Sequence, residues 1–370
     1  MISTTKLRPA KRFGPGYFIR EQMEIREWVQ EDLAEILGIS LKHVNKILKD
    51  KQPITIEIAR LLGEIFDTSA QYWMNIDSSY RLWKQQEVTE KEKDTEIKAE
   101  IYGNMPIRDM VKKGWIATFQ NPKELIENVK DFWQWNEIDF SRNQKDVELC
   151  LQRRSEAFNQ FNASYSLTWF QMAKKCSENY KVTDYNHESL TQLYNEINVY
   201  TTLDNGINKF IHKLNEVGVV FFVLPHLQKT YLDGAAFILK KKPVIVYTGR
   251  YKRVDNFWFT VAHEIAHLLL HLNEENTFVL DNLSDNVKTE LEEEANQLAA
   301  EKLKHPDIIK YLEPYTGYLT KNKIDECASV CEIHPSIIIG KLAHNDLISY
   351  RNLSFFNENV LDQIEGKYLN

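Results

Sequence analysis

The stretch that decides the fold is WFTVAHEIAHLLLH, residues 258–271. It holds His263 and His267 four residues apart, with Glu264 directly after the first histidine. On an α-helix, residues at that spacing share a face and lie about 6 Å apart along the axis, so two imidazoles converge on one metal ion. The Glu264 carboxylate then reaches a water at the metal and serves as a general base. We therefore predict a zinc site on a helix rather than a chance pair of helical histidines.

A catalytic zinc ion usually has a third protein ligand and keeps one position for water. The downstream segment ELEEEAN, residues 290–296, offers four glutamates on a predicted helix. We predict Glu292 as the ligand because it shares a helix face with Asn296, whereas Glu294 lies about 200° around the helix and is expected in solvent. The alternative is an ordinary acidic helix face.

Two further side chains are expected to support the metal ligands without binding the ion. Asn296 is expected to accept the ring N–H of a ligand histidine and so fix its tautomer. His271 lies about 12 Å along the helix from the first histidine, too far for the same ion, which favours an indirect or surface role.

Two helical histidines four residues apart with a glutamate after the first are typical of metalloproteases. Hydrolysis of a peptide bond also needs a group that stabilises the oxyanion of the tetrahedral intermediate, in addition to the metal. Three polar side chains flank the presumed strands and are candidates for contact with the oxyanion or the substrate: His226, Tyr231 and Arg250. The sequence does not rank them.

The elements around residues 258–271 are predicted from the periodicity of apolar residues. Short β-branched apolar runs predict three strands, at residues 217–224, 234–239 and 242–248. Helical patterns cover residues 255–272 and 287–304, the second ended by Pro306, and the part from about residue 307 is again mostly helical.

The middle of the chain carries no chemical motif. Residues 87–100 are densely charged, which is typical of an exposed helix or a stiff linker. Residues 101–215 are helical in pattern and rich in aromatic residues, which favours packing over a ligand-binding role.

The N-terminal part predicts a helix-turn-helix. In residues 30–55, a short helix ends at Gly38 and the next begins at Ser40, with Ala34 where the helices cross and Ile39, Val44 and Ile47 or Leu48 as buried positions. The exposed face of the second helix carries residues whose types contact bases and phosphates: Ser40, Lys42, His43, Asn45 and Lys46. The alternative is a helical module that binds protein.

Composition limits how the chain can bind DNA. The net charge of the 370 residues is −7, and residues 1–90 hold 13 Lys/Arg against 13 Asp/Glu. Any DNA-binding surface must therefore be a local cluster of basic residues rather than a general positive charge.

The sequence predicts a cytoplasmic protein. Its longest apolar run, residues 217–225, is far shorter than the roughly 20 residues needed to cross a bilayer, and the N-terminus has no apolar segment of a secretory signal. The four cysteines, Cys150, Cys176, Cys327 and Cys331, are too few and too irregular for a disulfide framework and are expected to be free.

Two parts of the chain resemble known families. Residues 15–83, including TSAQYWMNI, resemble the HigA-type antitoxin branch of the Cro/C1-like helix-turn-helix family. Residues 219–306, with YLDGAAF, KPVIVYTGRY, DNFWFTVAHEIAHLLLH and EEEANQLAAEKLKHP, resemble the ImmA/IrrE zinc metallopeptidases. The resemblance implies zinc bound by His263, His267 and Glu292, with Glu264 catalytic. Ala266 replaces a glycine frequent before the second histidine, and Leu298 replaces a usual phenylalanine.

The expected fold is α+β and mostly α, with a zincin-like peptidase domain of a small sheet and helices. The predicted parts are a HigA-like helix-turn-helix domain at residues 1–86, a linker and helical middle region at 87–215, an ImmA/IrrE-like metallopeptidase domain at 216–306 and its helical C-terminal part at 307–370.

The leading functional hypothesis is a DNA-binding, gluzincin-like zinc endopeptidase that cleaves a specific repressor or antitoxin-like protein. The resemblance implies control of stress, mobile-element or toxin–antitoxin genes, with operator DNA bound by a homodimer and a toxin as a further partner. The alternatives are a regulator whose zinc domain is a non-proteolytic sensor or scaffold, and a toxin-neutralising module in which neither half touches DNA.

Overall fold

A computed structural model describes residues 12–85, 89–143, 160–228, 230, 232–273, 278–279, 290–315, 319–349 and 358–370. The chain divides into two compact units, Met1–Lys93 and Asp94–Asn370. The fold is α+β and mostly α, as predicted. Across the described ranges, no helix is long and apolar enough to span a bilayer.

The N-terminal unit is built of helices whose starts and ends are set by short capping residues. Ser40, Thr55 and Ser69 each accept a hydrogen bond from the backbone N–H three residues ahead. Gly38, at φ 64°, ends the second helix in the left-handed region. The helices are α1 (Pro15–Ile25), α2 (Gln30–Leu37), α3 (Leu41–Leu48), α4 (Ile56–Phe66) and α5 (Ala70–Lys84).

The core of this unit confirms most of the predicted helix-turn-helix packing. Ala34, Val44, Ile47 and Leu48 are buried, whereas Ile39 is only partly buried. The first helix ends at Ile25, and the chain then turns at Glu27 (φ 56°).

The second unit begins with the helices of the middle region and continues with the elements that carry the predicted site. Its helices are α6 (Glu90–Asn104), which starts just before the unit boundary, α7 (Ile107–Lys112), α8 (Pro122–Trp133), α9 (Gln160–Ser177), α10 (His187–Asn195), α11 (Ile197–Thr202), α12 (Gly206–Glu216), α13 (Val254–Leu270), α14 (Glu290–Lys302), α15 (His305–Leu312), α16 (Lys321–Cys331) and α17 (Pro335–His344).

The strands among the described residues of this unit form a mixed sheet with the order β1-β3-β2-β4. Its strands are β1 (Val220–Val223), β2 (Gly234–Leu239), β3 (Lys242–Tyr247) and β4 (Phe278–Val279). The first three lie within the predicted runs, and β4 pairs with β2 where no strand was predicted. β2 and β3 form a hairpin through Lys240 and Lys241, both at positive φ, which is the turn geometry that matches strand twist. β1 runs parallel to β3.

Both faces of the sheet are apolar and covered. Because strand side chains alternate, Phe221 and Ile245 face the core that contains α13, whereas Phe222 and Val246 face the aromatic core of the middle region, where Trp169 is buried. Described residues between 97 and 182 therefore supply one of the two layers that bury the sheet.

Three of the cysteines lie in described residues. Cys176, Cys327 and Cys331 are free and buried, as predicted, and Cys150 lies outside the described residues. Burial raises the pKa of Cys327 to about 12, which keeps it protonated at neutral pH.

His305, at the start of α15, is a buried titratable group. Its ring stacks on Phe259 of α13, with centroids 5.8 Å apart and an interplanar angle of 4°. Burial, together with the charges of Lys341 and His344, lowers its pKa to about 3. The folded state therefore keeps this imidazole neutral over a pH range in which the unfolded chain is protonated.

We predict that acid destabilises the second unit partly through His305. Between pH about 6.5 and about 3 the unfolded chain binds the extra proton, so stability present above pH 6.5 is lost as the pH falls, by up to about 1.4 kcal/mol per pH unit. His305→Phe keeps a stacking ring and should lose less free energy of unfolding than wild type between pH 6.5 and 5, measured by urea unfolding. Equal losses in the two proteins would contradict this assignment.

Candidate metal centre

α13 is almost entirely buried, because it packs against β2, β3, α10, α14 and α17. An apolar helix is the expected element at such a central position. His263, Glu264 and His267 are at most 1% exposed within it. Polar side chains at this depth are costly unless other polar groups or a metal ion satisfy them.

The structure brings together the three residues predicted as metal ligands. Nε2 of His263 lies 2.9 Å from Nε2 of His267. Glu292 of α14 places one carboxylate oxygen 3.4 Å from Nε2 of His263 and the other 3.7 Å from Nε2 of His267. Each residue offers one ligand atom, and these atoms all lie within 4.8 Å of one another.

The donor set fits a tetrahedral zinc ion. Bonds of about 2.0–2.1 Å place tetrahedral ligand atoms about 3.3–3.4 Å apart. The two imidazole nitrogens are 2.9 Å apart, and the two Glu292 oxygens lie 3.4 Å from one of them and 3.7 Å from the other, close to that value. Two imidazoles and one carboxylate are also the donors of catalytic zinc sites that keep one open position.

Glu264 lies against the sheet rather than in open solvent. A Cβ placed on Gly234, the first residue of β2, would be only 2.4 Å from Oε1 of Glu264 and 2.6 Å from Cγ2 of Thr260. The strand therefore approaches α13 this closely because residue 234 has no side chain. Sequence reasoning missed Gly234, although YLDGAAF places a glycine at the start of a predicted strand.

The two residues expected to support the ligands, His271 and Asn296, differ in whether they contact a ligand histidine. His271 is buried, with Nδ1 2.8 Å from Nδ1 of His267. Asn296 is partly buried on α14, and the hydrogen bonds found among the described residues do not join it to either ligand histidine. Glu294 is 62% exposed, as expected, yet its Oε2 also lies 3.1 Å from Nε2 of His271.

Arg250 lies beside the strand that contacts Glu264. Its Nη1 is 3.4 Å from Oδ1 of the buried Asp233, the residue before Gly234. A guanidinium near a site of this kind can stabilise negative charge on a bound substrate.

Of the other two side chains proposed for contact with the oxyanion or the substrate, the structure describes His226 but not Tyr231. His226 is partly buried, and burial lowers its pKa, with further lowering by the charges of Lys113 and Arg250. This lowered pKa favours the neutral form of the His226 imidazole. Tyr231 lies outside the described residues.

The predicted DNA-contacting residues lie on α3 of the N-terminal unit and at its start. Lys42 and Lys46 are exposed. The Asn45 amide donates to Oε1 of Gln30 at 3.1 Å, and Nε2 of His43 lies 2.9 Å from the amide nitrogen of Gln52. Ser40 caps α3 by accepting from the backbone N–H of His43. These contacts hold the two polar side chains at the surface of the helix in set positions.

Comparisons with known families match two separate parts of the chain. Residues 19–73 match the helix-turn-helix family, and residues 214–336 match Peptidase M78, the IrrE N-terminal-like domain. The second match runs from the end of α12 into α17 and so contains every residue of the candidate metal centre.

Similar proteins have been found for short parts of the chain. The HTH-type transcriptional regulator PrpR of Mycobacterium tuberculosis is 39% identical over 75 residues, which are 20% of this chain and 15% of that protein. The uncharacterized HTH-type transcriptional regulator YbaQ of Escherichia coli K12 is 28% identical over 71 residues, 19% of this chain and 63% of that protein. The chain thus spans less than two thirds of the length of these relatives.

A solved structure, that of the Pseudomonas aeruginosa antitoxin HigA with the higBA promoter, is 36% identical. It covers 20% of this chain and 82% of the antitoxin chain, with a TM-score of 0.20.

We predict that Gly234→Ala displaces Glu264. The added methyl group would overlap the carboxylate and the methyl of Thr260, and neighbours that must move in a packed core cost about 1–3 kcal/mol of stability. Gly366→Ala is the matched control, because nothing lies within 4 Å of its added Cβ. Thermal unfolding of both variants measures the cost, and an unchanged melting temperature for Gly234→Ala would contradict the close contact.

Proposed function

We propose that this protein is a DNA-binding regulator with zinc-dependent endopeptidase activity, because residues 19–73 match the helix-turn-helix family and residues 214–336 match Peptidase M78. The observation that carries the proposal is the cluster of His263, His267 and Glu292. Glu264 lies between the two histidines on α13.

The proposed reaction is hydrolysis of one peptide bond. Zinc held by His263, His267 and Glu292 would supply Lewis-acid chemistry, polarising a carbonyl and lowering the pKa of a water. Glu264 takes the proton from the attacking water and later gives it to the leaving amine nitrogen, so that the carboxylate is regenerated. Gly234 keeps the strand close and thereby limits the positions open to the Glu264 carboxylate.

The groups that stabilise the tetrahedral oxyanion are proposed among the polar side chains near β2. Arg250, whose Nη1 lies 3.4 Å from Asp233, would attract negative charge, and the neutral imidazole of His226 would donate a hydrogen bond.

We propose operator DNA as the partner of the N-terminal unit. Lys42 and Lys46 suit phosphate contacts, whereas Asn45 and His43 suit base edges in the major groove. The positioning of both side chains by Gln30 and Gln52 supports a surface arranged for sequence readout.

The proposed substrate is a repressor or antitoxin-like protein whose cleavage alters transcription of stress, mobile-element or toxin–antitoxin genes. A DNA-binding unit in the same chain would hold the peptidase near proteins bound at the same operator, which raises their effective concentration. Homodimer formation and toxin binding stay predictions.

We expect Glu264→Gln to keep zinc and to lose cleavage by about 10²-fold or more, because the amide accepts no proton from water. His263→Ala should lose the metal itself, since one of two imidazole donors is removed. Elemental analysis of purified protein and incubation with the products of neighbouring genes, followed by mass spectrometry for one discrete cut, measure the two effects.

Glu293→Gln on α14 is the matched control for Glu264→Gln, because the same change is made at an exposed position. Cleavage by Glu264→Gln at the wild-type rate would overturn the peptidase assignment. Repression of a reporter gene that survives Glu264→Gln, with no cut in any tested protein, would favour the non-proteolytic sensor.

We also expect two kinds of effect on DNA binding. Lys46→Ala should reduce the slope of log affinity against log salt concentration by about 0.9, the contribution of one phosphate contact. It should weaken binding to all DNA sequences alike. Asn45→Ala should reduce the binding free energy for the operator by about 1–3 kcal/mol and change binding to unrelated DNA little. Gel shifts with DNA upstream of the protein's own operon, at several salt concentrations, measure both effects.

Lys84→Ala is the control for the lysine change, because residue 84 lies outside the helix-turn-helix match. Absence of a salt-sensitive shift with the wild-type protein would contradict DNA binding and favour a protein-binding module.

A further inference from the structure

A chain of polar side chains leads from the candidate metal centre to the surface. Nε2 of His267 faces the other metal donors, while its Nδ1 lies 2.8 Å from Nδ1 of His271. Nε2 of His271 in turn lies 3.1 Å from Oε2 of Glu294. The side chains of His267 and His271 are 0% and 3% exposed, and that of Glu294 is 62% exposed.

The chemistry of these groups gives the hydrogen bonds one direction. A carboxylate only accepts, so Nε2 of His271 must carry the proton that it donates to Glu294. A neutral His271 then has a bare Nδ1, which must accept from the Nδ1–H of His267. His267 is left with a bare Nε2, which is the nitrogen that faces His263 and Glu292.

The opposite direction would block the metal. If Nδ1 of His271 donated to Nδ1 of His267, a neutral His267 would carry its proton on Nε2, between the other two donors. A bare Nε2 on His271 would then meet the carboxylate of Glu294 at 3.1 Å, acceptor against acceptor. Glu294 therefore disfavours the tautomer that cannot bind the ion.

We propose that Glu294 is a positioning residue which, through His271, holds the ligand His267 in its metal-binding tautomer. This inference rests on the proposed function, because it takes His263, His267 and Glu292 to be the zinc ligands. It also gives α14 two separate links to α13, one directly through Glu292 and one through Glu294 and His271. An acceptor on the second nitrogen of a ligand histidine typically changes metal affinity 10–100-fold.

The test is the zinc affinity of the full-length protein, measured by competition with a chromophoric chelator. Glu294→Ala removes the acceptor and should weaken zinc binding about 10-fold or more. Glu294→Gln should give a smaller loss, because its amide can still accept from His271 through Oε1 but can also donate. Glu293→Ala, an exposed neighbour on the same helix, should bind zinc like wild type.

Coupling through His271 is tested by a double change. His271→Ala should weaken zinc binding, and adding Glu294→Ala to it should give no further loss, because the chain is already broken. The melting temperature of the metal-free variants separates stability from positioning. A merely structural contact would lower that temperature and leave the zinc affinity unchanged.

Wild-type zinc affinity in Glu294→Ala, with zinc bound normally by the wild-type protein, would overturn the inference and leave the proposed function intact. A wild-type protein that binds no zinc would instead overturn the metal site on which both depend. Full additivity of the two changes would show that Glu294 acts without His271 and would also contradict the proposal.

Discussion

The structure depends on one constraint, which is that two imidazoles and a carboxylate lie on a helix buried on nearly all sides. Polar groups at that depth are tolerated when hydrogen bonds or a metal ion replace the lost water. α14 supplies Glu292 to this cluster and the end of α13 supplies His271, while β2 begins with a glycine that leaves room for Glu264. An apolar helix that carries polar side chains is therefore stabilised by contacts from the neighbouring elements. Exceptions to local sequence patterns of this kind are common at functional sites.

The position of α13 requires a sheet covered on both faces. A sheet with two apolar faces leaves no side for water, so each face must meet a layer of helices. One layer contains α10 to α13 and the C-terminal helices, and the other is formed by described residues between 97 and 182. Both layers are thus part of the scaffold around the candidate metal centre, and residues 94–370 form one compact unit.

The N-terminal unit has its own core, and its helices are capped and ended by residues near in sequence. Such local signals make a small helical unit recognisable without knowledge of the rest of the chain. Under the proposed function, the N-terminal unit would bind DNA and the second unit would cleave a protein bound there.

The sequence by itself determined the elements whose causes are local. The spacing of His263, Glu264 and His267, the capping residues of the N-terminal helices and the apolar runs of β1, β2 and β3 all act within a few residues. It also indicated Glu292, since helix periodicity limits which of several glutamates can share a face with Asn296.

Only the tertiary structure decided the features that depend on distant segments. The strand β4, the covering of the sheet by the middle region, the approach of Gly234 to Glu264 and the link from Glu294 to His271 each join residues far apart in the chain. The periodicity of a helix indicates which of its residues share a face. What a glutamate on that helix contacts depends also on the length of its side chain and on the angle of the neighbouring helix. For this reason Glu294, expected only in solvent, lies within hydrogen-bond distance of a buried histidine.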